Sequence, residues 1–229
     1  MSYNPPMTAA LGARHSALVR VTHWITALAF VALLVTGGEI LLSHPRFYWG
    51  ETGNVLTRPL FQLPLPSSRD MVVTGYGYVL PDQNGWSRYL HFEAAWVAVL
   101  TGLVYVISGL MGGHFRRNLL PGRGYPFWTV EDAQSYSVLQ RTAYLLVVFV
   151  LFPLVVWTGL AMSPAMASVF PAAVAVLGGQ QSARTIHFFV SILLAIFLLI
   201  HVAMVWIAGF RARVGAMITG RAGAGMERV

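Results

Sequence analysis

His187 and His201 lie fourteen residues apart in the last long apolar segment of a 229-residue chain that contains no cysteine. Fourteen residues is close to four helical turns, so both imidazoles face one way at depths differing by roughly 21 Å. His23 and His91 lie near the starts of two other apolar segments. Without cysteine, disulfides, Cys-ligated iron–sulfur clusters, covalent c-type haem attachment and a Cys nucleophile all drop out. A redox centre here has to use His or Met ligands. Four histidines arranged on two levels can hold two b-type haems stacked across a bilayer, and electron transfer is the chemistry that arrangement points to.

The elements that would position these histidines follow from the distribution of charge. The chain is 56% hydrophobic and only 10% charged, far from an ordinary soluble domain. Val21–Gly38, Ala94–Gly113, Thr142–Ala183 and Thr185–Phe210 contain no Asp, Glu, Lys or Arg. A run of about 18 or more such residues can cross the hydrocarbon core. The third run is too long for one helix, and Ser163-Pro164 is expected to end its helix ahead of an interfacial loop. The expectation is therefore an all-α integral membrane four-helix bundle forming one domain over 1–229. Its helices fall at about 19–42, 89–112, 139–162 and 184–209. The first span reads as a retained helix rather than a cleaved signal, because no small-x-small site follows it.

All fifteen basic residues are arginine. Arg14, Arg20, Arg116, Arg117, Arg123, Arg211, Arg213, Arg221 and Arg228 fall on one side of a four-span arrangement. Arg46, Arg58, Arg69 and Arg88 fall on the other, diluted by Glu51, Asp70 and Asp82. The positive-inside rule then puts both termini in the cytoplasm, with a long periplasmic loop at 43–88. The net charge of +7 is mostly this topological signal. Nucleic acid is not an expected partner, since no soluble domain carries a basic patch. The loop is too long for a simple connection and reads as an ordered platform for a partner.

With that topology His91 shares a level with His187, and His23 with His201. Axial ligation of a haem iron needs one imidazole on each porphyrin face, which ligands on facing helices at one level supply. His201 looks about two turns deeper than His23, a mismatch that helix tilt would have to absorb. Arg20, Arg88 and Arg184 each precede a candidate ligand by three residues, on the same helix face and on its aqueous side. A haem propionate directed there would meet a guanidinium suited to bidentate pairing. The plainer reading is that these arginines anchor helix ends at lipid headgroups.

A lone His in a membrane helix is often a satisfied polar residue hydrogen-bonded across helices, but four at matched depths argue for a function. A transporter with a His proton relay is the rival. Against it, the halves show no internal symmetry, and no helix is broken near mid-membrane by Gly or Pro. His15, His44 and His114 read as interfacial residues, although His15 or His114 could serve a quinone on the cytoplasmic side. Glu39 and Glu93 are the carboxylates at the outer helix edges. They could exchange protons with a quinol there, but interfacial solvation is the simpler account.

Seven stretches carry a resemblance: RVTHW at Arg20–Trp24, HPRFYWG at His44–Gly50, GHFRRNLLP at Gly113–Pro121, GLAMSP at Gly159–Pro164, GGQQSARTIHF at Gly178–Phe188, HVAMV at His201–Val205 and MITGR at Met217–Arg221. Over nearly its whole length the chain resembles the four-helix, di-haem membrane cytochrome b family. That family includes bacterial cytochrome b561 and the cytochrome b subunits of nickel–iron hydrogenase and formate dehydrogenase. The loop stretches are most similar to the thiosulfate reductase cytochrome b subunit branch, often associated with periplasmic molybdopterin oxidoreductases.

The resemblance implies two haem b groups, held by His23 with His201 on the cytoplasmic side and by His91 with His187 on the outer side. It also implies an inner-membrane location, exchange of electrons with the quinone pool, and a periplasmic redox subunit as partner. Such a chain is an electron-transfer subunit rather than a catalyst by itself. The alternative within the same fold is a stand-alone oxidoreductase that passes electrons between quinone and a small periplasmic molecule such as superoxide.

Overall fold

The computed structural model describes residues 16–54, 56–65, 84–113 and 138–220. Among them, four helices are long and apolar enough to cross a membrane. Only 11% to 17% of each span's most apolar stretch is covered by the rest of the chain. Water would not tolerate so much bare apolar surface, whereas lipid solvates it at no cost.

Helix α1 runs Ala17–Ser43 and opens at Ser16, whose side chain accepts from the Val19 N–H. Helix α2 is Asn84–Met111. It starts well ahead of the expected 89, so Arg88 belongs to the helix and not to the loop. Asparagine is favoured at helix starts, and nothing in GWSRYL interrupts the turn that follows.

The third span is composite. Helix α3 (Val138–Leu146) passes into a π-helical turn (Val147–Leu151) and then into α4 (Phe152–Ala161). Pro153 has no N–H to give the carbonyl four residues earlier, and a wide turn accommodates that gap, so this span is irregular near its middle where no Gly or Pro interruption was expected. After Ser163 the expected loop is two short helices, α5 (Pro164–Val169) and α6 (Pro171–Ala175), each opened by its proline.

Helix α7 is Gln180–Ile207. It ends short of the expected 209 because Gly209, at φ +96°, turns the chain. A separate helix α8 (Phe210–Thr219) then folds back until the carbonyls of Met217 and Ile218 meet α1. Trp24 Nε1 donates to Met217 O at 3.2 Å, and an Arg20 guanidinium N–H donates to Ile218 O at 2.7 Å. Arg211 therefore belongs to α8 and does not mark the end of the fourth span.

The described part of the long loop is tied to the start of α7. Strands β1 (Arg46–Phe47) and β2 (Phe61–Gln62) pair antiparallel. Phe47, 2% exposed, stacks on Phe61 with ring centroids 4.7 Å apart and lies 4.5 Å from the Phe188 ring.

The Gly50 carbonyl accepts from the N–H groups of Gln181 and Ser182, and the Gly50 N–H donates to Ser182 Oγ at 2.7 Å. Glu51 Oε2 accepts from the Gln180 N–H, and Thr185 Oγ1 donates to the Tyr48 carbonyl at 2.8 Å. The first N–H groups of a helix have no partners inside it, so this loop satisfies them and brings a carboxylate to the positive end of the dipole. Gly179 makes the approach feasible. At φ +105°, a Cβ on it would stand 2.6 Å from the Gly50 backbone.

Candidate functional site

The four histidines of the membrane helices meet as two pairs. His91 on α2 faces His187 on α7 with ring centroids 6.3 Å apart, at the end where the loop packs. His23 on α1 faces His201 on α7 at 6.2 Å, at the end where α8 packs. The depth mismatch expected for His23 and His201 is absorbed, because their rings are as close as those of the other pair. Among the described residues no group of three His, Cys, Asp or Glu side chains could hold a metal ion. Each pair thus offers two protein nitrogens.

The spacing can be tested against the group such pairs would hold. A metal–imidazole nitrogen bond is about 2 Å, and the nitrogen lies about 1 Å from its ring centre. Two imidazoles on opposite sides of one metal ion therefore have centroids about 6 Å apart. Both pairs match that separation, and it is wider than a ring–ring van der Waals stack. An iron already held by four porphyrin nitrogens needs two further ligands, so a pair is the right number.

Hydrogen bonds fix which ring nitrogen is free. His187 Nδ1 lies 3.0 Å from the Val155 carbonyl and 3.1 Å from Thr158 Oγ1. A carbonyl can only accept. The Thr158 hydroxyl already donates to Leu154 O at 2.8 Å, so its oxygen accepts too. Nδ1 must therefore carry the hydrogen, which leaves the Nε2 lone pair available. Around His91, Thr36 donates to Ala32 O at 2.7 Å and lies 2.9 Å from Nδ1. At the other pair, Tyr144 OH is 3.1 Å from His201 Nδ1.

Sequence reasoning singled out neither Thr36, Thr158 nor Tyr144. One signal was present. Thr158 and Tyr144 are fourteen residues apart, as are His187 and His201, and on antiparallel neighbouring helices equal offsets keep both pairs in register.

The three arginines have different surroundings. Arg184 is half-buried, donates to the His44 carbonyl and lies over the Phe47 ring with 5.1 Å to its centroid. Arg20 reaches α8, and its buried Nε has no hydrogen-bond partner among the described residues. Arg88 is exposed, one turn before His91. His44 closes α1, where its N–H donates to Leu41 O. Glu39 is half-buried and Glu93 exposed at the loop end. His15 and His114 lie outside the described residues.

The family model described as prokaryotic cytochrome b561 matches residues 14–220. The chain belongs to that family. A prokaryotic cytochrome b561 with four apolar helices is a multi-pass protein of the inner membrane that transfers electrons, and membership implies haem b. The chain is also similar to the "putative protein-methionine-sulfoxide reductase subunit YedZ1" of Azospira oryzae. The two are 28% identical over 219 residues, which cover 87% of this chain and 93% of the relative. The relative's name differs from the thiosulfate reductase branch to which the loop stretches pointed. No solved structure matches the chain.

Proposed function

We propose that this cytochrome b561 is the di-haem electron-transfer subunit of a larger oxidoreductase. His91 and His187 would hold one haem b, and His23 and His201 the other. The observation that carries the reading is that two pairs, on two levels, have the centroid separation an iron between them requires. The haem, when bound, supplies one-electron redox chemistry. The chain supplies the rest. Nδ1 hydrogen bonds orient the rings, and the apolar helix walls exclude water.

Both termini are on the cytoplasmic side, from the arginine distribution, which puts the His91–His187 pair toward the periplasm. Electrons pass between the quinone pool and a periplasmic oxidoreductase seated on the loop between α1 and α2 and on the α5–α6 connection. The relative's name supports a reductase as that partner, and the family resemblance supports a molybdopterin enzyme. Arg20 is the best supported of the candidate propionate partners, because its buried Nε lacks an acceptor among the described residues. Arg88 and Arg184 remain candidates at the other pair, where Arg184 already serves the His44 carbonyl.

The test is a reduced-minus-oxidised spectrum of the detergent-purified protein, with haem quantified per chain. Two haems are expected for wild type and one for His187→Ala. A colourless wild type made with adequate haem supply would overturn the reading. Co-purification of a periplasmic subunit under mild detergent checks the partner.

A further inference from the structure

The clamp around His187 and the clamp around His91 are the same device built twice. In each, a threonine is followed by glycine: Thr158-Gly159 and Thr36-Gly37. Each threonine donates to the carbonyl four residues earlier, Leu154 or Ala32, and lies within hydrogen-bonding distance of the imidazole Nδ1. His187 also bonds the backbone carbonyl of Val155, three residues before its threonine. The glycines repeat as well. A Cβ on Gly159 would stand 3.4 Å from His187 Cε1, and one on Gly37 would stand 3.4 Å from His91 Cε1. The two helices that carry the clamps, α1 and α4, hold no histidine of this pair. They flank it and bring one Thr-Gly step to each ring.

Thr158 is fully buried and Thr36 is 3% exposed. A hydroxyl that far from water needs both a donor role and an acceptor role filled, and the i−4 carbonyl and the imidazole N–H fill them. Because the hydroxyl hydrogen is committed to the helix carbonyl, threonine cannot donate to Nδ1. It can only accept. The clamp therefore excludes the tautomer in which Nδ1 is bare and leaves Nε2 as the nitrogen with a free lone pair. Accepting a hydrogen bond from Nδ1–H also raises the electron density on the ring and its strength as a ligand, most of all toward the oxidised metal.

We infer that Thr36 and Thr158 are paired positioning residues that set the reduction potential of the haem between His91 and His187, acting on its two ligands symmetrically. This rests on the di-haem reading above and adds to it the residues that tune one of the two centres. The third span serves both centres through different chemistry, a threonine toward His187 and a phenol toward His201.

The experiment is a spectroelectrochemical titration of detergent-purified wild type, Thr36→Val, Thr158→Val, the double variant and the two Thr→Ser variants, with haem counted per chain. The wave belonging to the His91–His187 centre is identified as the one missing from His187→Ala. Valine keeps the shape and removes the acceptor. That wave should move to a more positive potential in each valine variant, further in the double variant, and return to the wild-type position with serine. The other wave should stay in place.

Valine variants with two haems and unmoved waves would overturn the inference while leaving the di-haem reading intact. A wild type without two haems would overturn that reading, and the inference with it. If a valine variant loses its haem, serine decides: haem restored by serine supports the hydroxyl's role, and haem still absent overturns it.

Discussion

The His91–His187 pair is held by threonine oxygens of two flanking helices and, at His187, by a backbone carbonyl, whereas the His23–His201 pair sits among rings. Around the second pair, Trp24 lies 5.4 Å from His23 nearly edge-on, Phe197 lies 6.0 Å from His201 and nearly parallel, and the Tyr144 hydroxyl is 3.1 Å from His201 Nδ1. The ends of the molecule differ in extent. A series of backbone and side-chain hydrogen bonds locks the loop onto the start of α7, while α8 meets α1 through single hydrogen bonds from a tryptophan and an arginine. Equal spacing between the paired rings therefore does not mean equal surroundings. On the di-haem reading proposed above, the polar clamp would act on ligand strength through hydrogen bonds, and the aromatic one mainly through packing and dielectric. The two centres are expected to titrate at separate potentials.

The largest effects come from the histidines themselves. His187→Ala should remove one haem and His201→Ala the other, each leaving a one-haem protein. Loss of both from either single variant, read by haem content, would break the idea of two independent centres.

Next is the loop platform. Phe47→Ala should cost about 3–5 kcal/mol, the usual range for emptying a buried aromatic site. Thermal bleaching should show the His91–His187 haem leaving first. Simultaneous loss of both would mean that the loop supports the whole molecule rather than one end.

Gly179→Ala attacks the same seam more narrowly. A side chain at φ +105° costs about 1–3 kcal/mol before any contact is counted. The added Cβ would also meet the Gly50 backbone. Melting should shift downward, and a stability equal to wild type would show that the loop and α7 separate freely.

Smallest is Tyr144→Phe, which deletes one hydrogen bond of about 1 kcal/mol. It should raise the potential of the His23–His201 centre and leave the other unmoved. A shift of both waves would show coupling through the third span.

How much of this was legible in the chain can be judged residue by residue. His23, His91, His187 and His201 stood out because an imidazole in an apolar segment is unusual by type, and the structure brings them together as the two pairs expected. The four spans were found because charge is missing over lengths a bilayer requires. Their ends were less readable. Helix α2 began early and α7 ended early, and α8 was missed, since a glycine at positive φ looks the same in sequence as one inside a helix. The π-helical turn at Val147–Leu151 was likewise hidden, because it relieves a proline two residues into the next helix.

By itself, then, the sequence determined the solvent of this protein and the chemistry open to it. Apolar run length, arginine placement, the absence of cysteine and the histidine positions are properties of single residues and their spacing. Only the tertiary structure decided what holds each ring. Thr36, Thr158 and Tyr144 are unremarkable residues in apolar helices, and their contacts with Nδ1 depend on the phase and tilt of one helix against another. A Thr-Gly step used twice is too short to stand out as a repeat in the chain. It becomes visible once α1 and α4 bring it to the two imidazoles of one pair, because hydrogen bonding is directional and short-ranged while hydropathy is neither.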